Sequence, residues 1–121
     1  MSARIGYFQG AAALSVGVFA LISPRQAANF FGVPLPAATP LESTPYVTAK
    51  GARDVTLGIC YILFSYRSGF PALRTLMTAH IFTGIVDSVL IWKHGPRRKA
   101  VTHAAAVLGW ALAMLSTVGF G

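Results

Sequence analysis

Apolar residues dominate four stretches of this chain, and proline, glycine and charge collect in the breaks between them. The stretches run over about residues 5–22, 47–66, 72–92 and 101–120. At ~1.5 Å of rise per residue, a helix of about 20 apolar residues crosses the ~30 Å hydrocarbon layer of a bilayer. The first stretch, about 18 residues, is near the lower limit. Ser23-Pro24 ends it and starts something new. Serine suits an N-cap, proline the first helical position and Gly32 the stop after Phe31, which predicts a short helix lying in the interface with Phe30 and Phe31 dipping into lipid. Pro34, Pro36, Pro40 and Pro45 then forbid a continuous helix, so 33–45 is a long loop, either a lid over one end or a plain connector. Arg67–Pro71 reads as a tight turn and Lys93–Lys99 as a basic one, each joining antiparallel neighbours. The pattern predicts an all-α fold: one domain, a four-helix transmembrane bundle with a short interfacial helix after the first span.

Composition supports the membrane. Of 121 residues, 55% are apolar and only 11% charged, against about 25% in a soluble domain, and the mean hydropathy is +0.61. The net charge of +7 comes from ten Lys and Arg against three acids. The basic residues cluster at the ends of apolar runs, where they meet headgroups, and form no solvated stripe of the kind nucleic acid requires. Arg25, Lys50, Lys93, Arg97, Arg98 and Lys99 flank the first and third loops, and Arg4, Arg67 and Arg74 the other side. The positive-inside rule thus puts those loops in the cytosol and both termini across the membrane. The multi-pass chain belongs in the endoplasmic reticulum of a eukaryote or the plasma membrane of a bacterium. Cys60 excludes an intrachain disulfide and a multi-cysteine metal site, and reads as an inert core thiol. The run from Ile5 lacks a strong basic leader and reads as a retained span, not a cleaved signal.

Charge inside the second stretch changes the picture. Lys50-Gly51-Ala52-Arg53-Asp54-Val55-Thr56-Leu57-Gly58 places an arginine and an aspartate in a would-be spanning helix, and Asp87 lies in the next one. A charge at the centre of a span costs about 2.5–3.5 kcal/mol on insertion scales, so such residues mark a use. Arg53 and Asp54 sit about two turns from the first-loop end of span two, and Asp87 as far from the third-loop end of span three. Antiparallel packing brings these into one layer, with Lys50 below and His103 at the start of span four. Lys50, Arg53, Asp54, Leu57 and Tyr61 share a three-and-four spacing, as do His80, Thr83, Gly84 and Asp87. The expected catalytic set is Asp54, Asp87 and Arg53. Tyr61, His80, Thr83, Gly84, Lys50 and His103 line the substrate pocket, with His80 alternatively a structural hydrogen-bonder.

The cluster admits two readings. An Arg53–Asp87 ion pair locks span two to span three, with Asp54 capping or pairing with Lys50. Alternatively, two acids around one arginine in a dry pocket act as proton donor and acceptor toward an epoxide, alkene or leaving oxygen. The Asp-Arg-Asp set resembles, in residue types only, the site of limonene-type epoxide hydrolases, which are soluble and folded differently. No HExxH, nucleophile elbow, phosphate loop or dinucleotide fingerprint is present, and the histidines are scattered, so neither a cofactor nor a metal is expected. Trp92 reads as an interface anchor and Trp110 as a packing residue.

Pro24…Phe31-Gly32-Val33-Pro34, Gly51-Ala52-Arg53-Asp54…Leu57-Gly58 and Asp87 resemble a group of small four-span membrane proteins of fungi and bacteria with a GxRDxxxG motif, largely described as a domain of unknown function. Some fungal members resemble components of secondary-metabolite gene sets. The resemblance implies an enzyme acting on a lipophilic polyketide or terpenoid intermediate, and carries over to Arg53, Asp54 and Asp87. The leading expectation is therefore a cofactor-free membrane enzyme, a cyclase, isomerase or epoxide-opening catalyst, acting by acid–base catalysis on a lipophilic small molecule. The alternative is an accessory or scaffold subunit. It would dimerise or hold a partner membrane enzyme through small-residue stripes: Gly6, Gly10, Ala13 and Gly17 on span one, and Ala105, Gly109 and Ala113 on span four, the two stripes also being plausible mates for each other. A transporter subunit is a third.

Overall fold

The computed structural model of the protein describes residues 3–40 and 44–116. The described residues are helical apart from residues 23, 32–40, 44 and 95–96. Five helices follow in order: α1 (Ala3–Ile22), α2 (Pro24–Phe31), α3 (Pro45–Leu63), α4 (Gly69–His94) and α5 (Arg97–Ser116). Three of them, α1, α4 and α5, are long and apolar enough to cross a membrane. Residues 117–120 of the expected fourth span and 41–43 of the first loop lie outside the described residues.

The break after α1 forms as its residues dictate. Pro24 opens α2, and Gly32 closes it in the left-handed region at φ 108°, donating its N–H to the Ala28 carbonyl. Ser23 occupies the N-cap without a side-chain capping bond; its carbonyl accepts from Ala27 N–H instead. Because an L side chain is strained at that φ, Gly32→Ala is expected to cost about 1 kcal/mol of stability in detergent unfolding.

The turn expected at Arg67–Pro71 is replaced by a wider helical turn of π type at Phe64–Ser68, which runs directly into α4. Pro71 falls in the first turn of α4, where its missing N–H breaks no helical bond, so the helix begins before it. Tyr61 and His80, nineteen residues apart, are hydrogen-bonded, so the chain reverses between them. The basic connection is likewise shorter than expected, with only Gly95 and Pro96 outside helices and Arg97–Lys99 in the first turn of α5.

Packing is concentrated in two helix pairs, α1 with α3 and α4 with α5. In the first pair the backbones touch through glycine. A Cβ on Gly58 would lie 2.8 Å from the Gly10 carbonyl oxygen, and one on Gly51 2.9 Å from that of Gly17. Gly10 and Gly17 of the stripe on α1 therefore mate with Gly58 and Gly51, the two glycines of the GxRDxxxG motif, while Gly6 meets Ser65 and Leu73. The stripe does not mate with that of span four, because only residues without side chains let two backbones come this close. In the second pair, a Cβ on Gly84 would meet Val107 at 2.5 Å. At the Phe64–Ser68 end the pairs are joined by a core of Tyr61, Leu73, Met77 and Met114, with Ile5, Phe64 and Trp110 packed against it. At the other end α2 bridges them: the Lys99 ammonium donates to the Asn29 carbonyl at 2.7 Å, supplying positive charge where the dipole of α2 is negative. Arg25 holds the proline loop against α2 by donating to the Pro36 and Thr39 carbonyls.

Candidate functional site

Where the two pairs part, they leave a cavity of about 640 Å³, within the range of small-molecule sites. Its walls come from all five helices. From α1, Ala12, Ala13 and Val16 supply an apolar side, and from α2, Phe30 and Phe31 line the mouth. Lys50 and Asp54 of α3 face His80, Gly84 and Asp87 of α4, and α5 adds Arg98, Lys99, Thr102, His103 and Ala106. A smaller cavity of about 140 Å³ adjoins it between α4 and α5, sharing His80, Gly84, His103 and Ala106 and reaching Trp110.

Of the residues singled out from sequence, Lys50, Asp54, His80, Gly84, Asp87 and His103 all line this space. Arg53 does not. Its side chain is 47% exposed, its guanidinium stands 3.6 Å from Asp54 Oδ1 on the outer side, and among the described residues it forms no ion pair with Asp87. The reason is angular: residue 53 lies about 100° round the helix from residue 54. The buried stripe of α3 is Gly51, Asp54, Gly58 and Tyr61, not the one drawn through Arg53. Tyr61 is wholly buried in the core behind the cavity, and Thr83 is half-buried outside the cavity wall.

The two acids have different surroundings. Asp54 is 8% exposed and held at 2.5 Å by the Lys50 ammonium, with Arg53 behind it. Lys50 also lies 4.5 Å above the Phe31 ring, which meets His103 edge-on at 6.1 Å. Phe31 thus turns inward over the cavity mouth instead of entering lipid, while Phe30, 65% exposed, packs edge-on against Phe19. Among the described residues Asp87 has no ion-pair or hydrogen-bond partner, although it shares the cavity wall with Lys50 and His103. One carboxylate is neutralised and fixed, the other open to whatever enters. Such a pair can divide the work of a proton donor and a proton acceptor. No group of three or more His, Cys, Asp or Glu side chains among the described residues is placed to hold a metal ion.

Beyond His103, the wall from α5 was not expected from the sequence. Arg98, Thr102 and Ala106 follow a four-residue spacing that runs beside His103, a stripe visible in the sequence once the helix is known to begin at Arg97. Ala12 and Val16 carried no signal, because alanine and valine on an apolar helix read the same whether they face lipid, a neighbour or a cavity; Ala13, expected in the helix-packing stripe, lines the cavity instead. Trp92 is 52% exposed with the Arg97 guanidinium 5.1 Å over its ring, and Trp110 packs on the core. Cys60 is a half-buried free thiol away from the cavity.

A family model described as a domain of unknown function (DUF4267) matches residues 10–121. No curated protein and no solved structure matches the chain.

Proposed function

The chain belongs to the DUF4267 family of proteins of unknown function, and from that premise we propose that it is a small membrane enzyme. It binds a lipophilic small molecule between its two helix pairs and transforms it by cofactor-free acid–base catalysis: a cyclisation, isomerisation or epoxide opening on a terpenoid- or polyketide-like intermediate. The observation that carries this reading is the cavity itself, with an ion-paired Asp54 and an Asp87 unpaired among the described residues on facing walls. In this reading α3 is a fourth span, its charges turned to the cavity and to the headgroup layer, and the α2 end faces the cytosol. Asp87 exchanges the proton with the substrate. Asp54 and Lys50 hold the opposing charge, and Arg53 acts through Asp54 from outside. His103, Gly84 and the alanines of α1 shape the space. Metabolite profiling of a host strain lacking the protein tests it. A lipophilic precursor should accumulate and be consumed when the wild-type chain is restored; an unchanged profile contradicts the reading.

A second reading, an accessory subunit that contacts a second copy or a membrane partner, draws on α5. A Cβ on Gly109 would meet nothing within 4 Å, and Leu108 and Leu112 beside it are exposed. On α1, Gly10 and Gly17 are already occupied by α3 and Gly6 by Ser65 and Leu73, so the two stripes are distinguished by mutation. Gly10→Leu is expected to lower the stability of the single chain by about 1–3 kcal/mol through overpacking, since its Cβ would stand 2.9 Å from the Gly58 carbonyl oxygen. Gly109→Leu leaves that stability unchanged and, under the second reading alone, abolishes association seen by cross-linking in native membranes.

A further inference from the structure

At the inner end of the cavity, away from the charged layer, His80 is held from behind by a residue the ligand does not touch. The Tyr61 hydroxyl is 2.8 Å from His80 Nδ1, and the two rings lie 5.7 Å apart, tilted by 38°. Tyr61 is fully buried, and among the described residues no other hydrogen-bond partner reaches its hydroxyl. A phenol has one proton to donate. If Nδ1 carried a proton and donated it to the phenol oxygen, the phenol O–H would be left in the core without an acceptor, and an orphaned buried donor is disfavoured. The satisfied arrangement has Tyr61 donating to a bare Nδ1, which leaves the ring proton on Nε2. The rest of the imidazole edge borders both cavities.

We infer that Tyr61 is a positioning residue that fixes His80 as its Nε2–H tautomer, so that the inner end of the cavity presents a hydrogen-bond donor, and that the ligand carries an acceptor oxygen there: a ketone, ester or epoxide, not a hydrocarbon. The inference rests on the cavity being a ligand site. The acceptor oxygen lies about 10 Å deeper than Asp87, from seven residues of helical rise between positions 80 and 87. Polarising that oxygen from the inner end while Asp87 exchanges a proton nearer the mouth divides the chemistry between two ends of one substrate.

Two-bond ¹H–¹⁵N correlation spectra of the full chain with [¹⁵N]histidine, in lipid nanodiscs, test it without knowledge of the substrate. His80, assigned by its loss in His80→Gln, is expected to show a protonated Nε2 and an unprotonated Nδ1. Tyr61→Phe, which keeps the ring in the core, is expected to shift that pattern toward a mixture of tautomers. A wild-type Nδ1–H pattern, or the same Nε2–H pattern in Tyr61→Phe, overturns the positioning role. Added 2-dodecanone should shift the Nε2 signal where dodecane does not; no shift with the ketone, or equal shifts with both, overturns the ligand class. None of these outcomes depends on turnover, so the metabolite profile can fail while the tautomer holds, and the reverse.

Discussion

Asp87→Asn is expected to lower turnover by roughly 10²–10⁴-fold, the usual contribution of a positioned acid or base, with the helix content and unfolding midpoint of the wild type. The amide has nearly the shape of the carboxylate but neither gives up nor takes on a proton in the same way. Since Asp87 holds no ion pair among the described residues, its replacement strands no opposite charge. That separates the catalytic reading from the structural one. An acid that locks two helices would lose stability on amidation, whereas an acid that serves a ligand loses rate alone. The check is metabolite profiling of a deletion strain restored with the variant, beside thermal unfolding of the purified chain. Wild-type product levels would remove Asp87 from the mechanism.

Lys50→Met is expected to have the largest effect on stability. It removes the ammonium 2.5 Å from Asp54 while the Asp54 side chain stays 11% exposed, with, among the described residues, only the outward Arg53 at 3.6 Å as a counter-charge. Breaking a buried pair from one side costs about 3–5 kcal/mol. Because the Lys50 side chain retains 24% exposure and Arg53 remains, the lower end of that range applies, about 3 kcal/mol. Removing both charges in Lys50→Met/Asp54→Leu should recover most of the loss, since two apolar side chains replace a pair whose burial was itself costly. Equilibrium unfolding of the two single variants and the double variant gives the coupling; strictly additive losses would show that the pair does not act as a unit.

The elements were legible in the sequence because punctuation is local. Ser23-Pro24 and Gly32 bound α2 where expected, and the apolar runs become helices within a few residues of the expected ends. The depth of the charges was legible too, because rise per residue is fixed, and six of the nine expected site residues meet around one space. Azimuth was harder. Arg53 and Asp54 are adjacent in sequence and two turns deep together, yet one faces the outside and the other the cavity. The pairing of helices was also hidden. The motif glycines Gly51 and Gly58 look like part of a chemical signature, whereas they form the seat that joins α3 to α1 as one pair, beside the separate pair of α4 and α5. Nothing local marks where two helix pairs separate, so the cavity had to be seen in three dimensions.

In the proposed function, the space between the helix pairs, and not the charges as braces, is what the protein uses. Ala13→Phe tests it most directly, since it fills that space from α1 and leaves Lys50, Asp54, Asp87 and both cavity histidines in place. In the deletion-strain assay, the filled but folded protein is expected to accumulate the precursor as Asp87→Asn does. A folded Ala13→Phe chain that restores the wild-type profile would contradict the account.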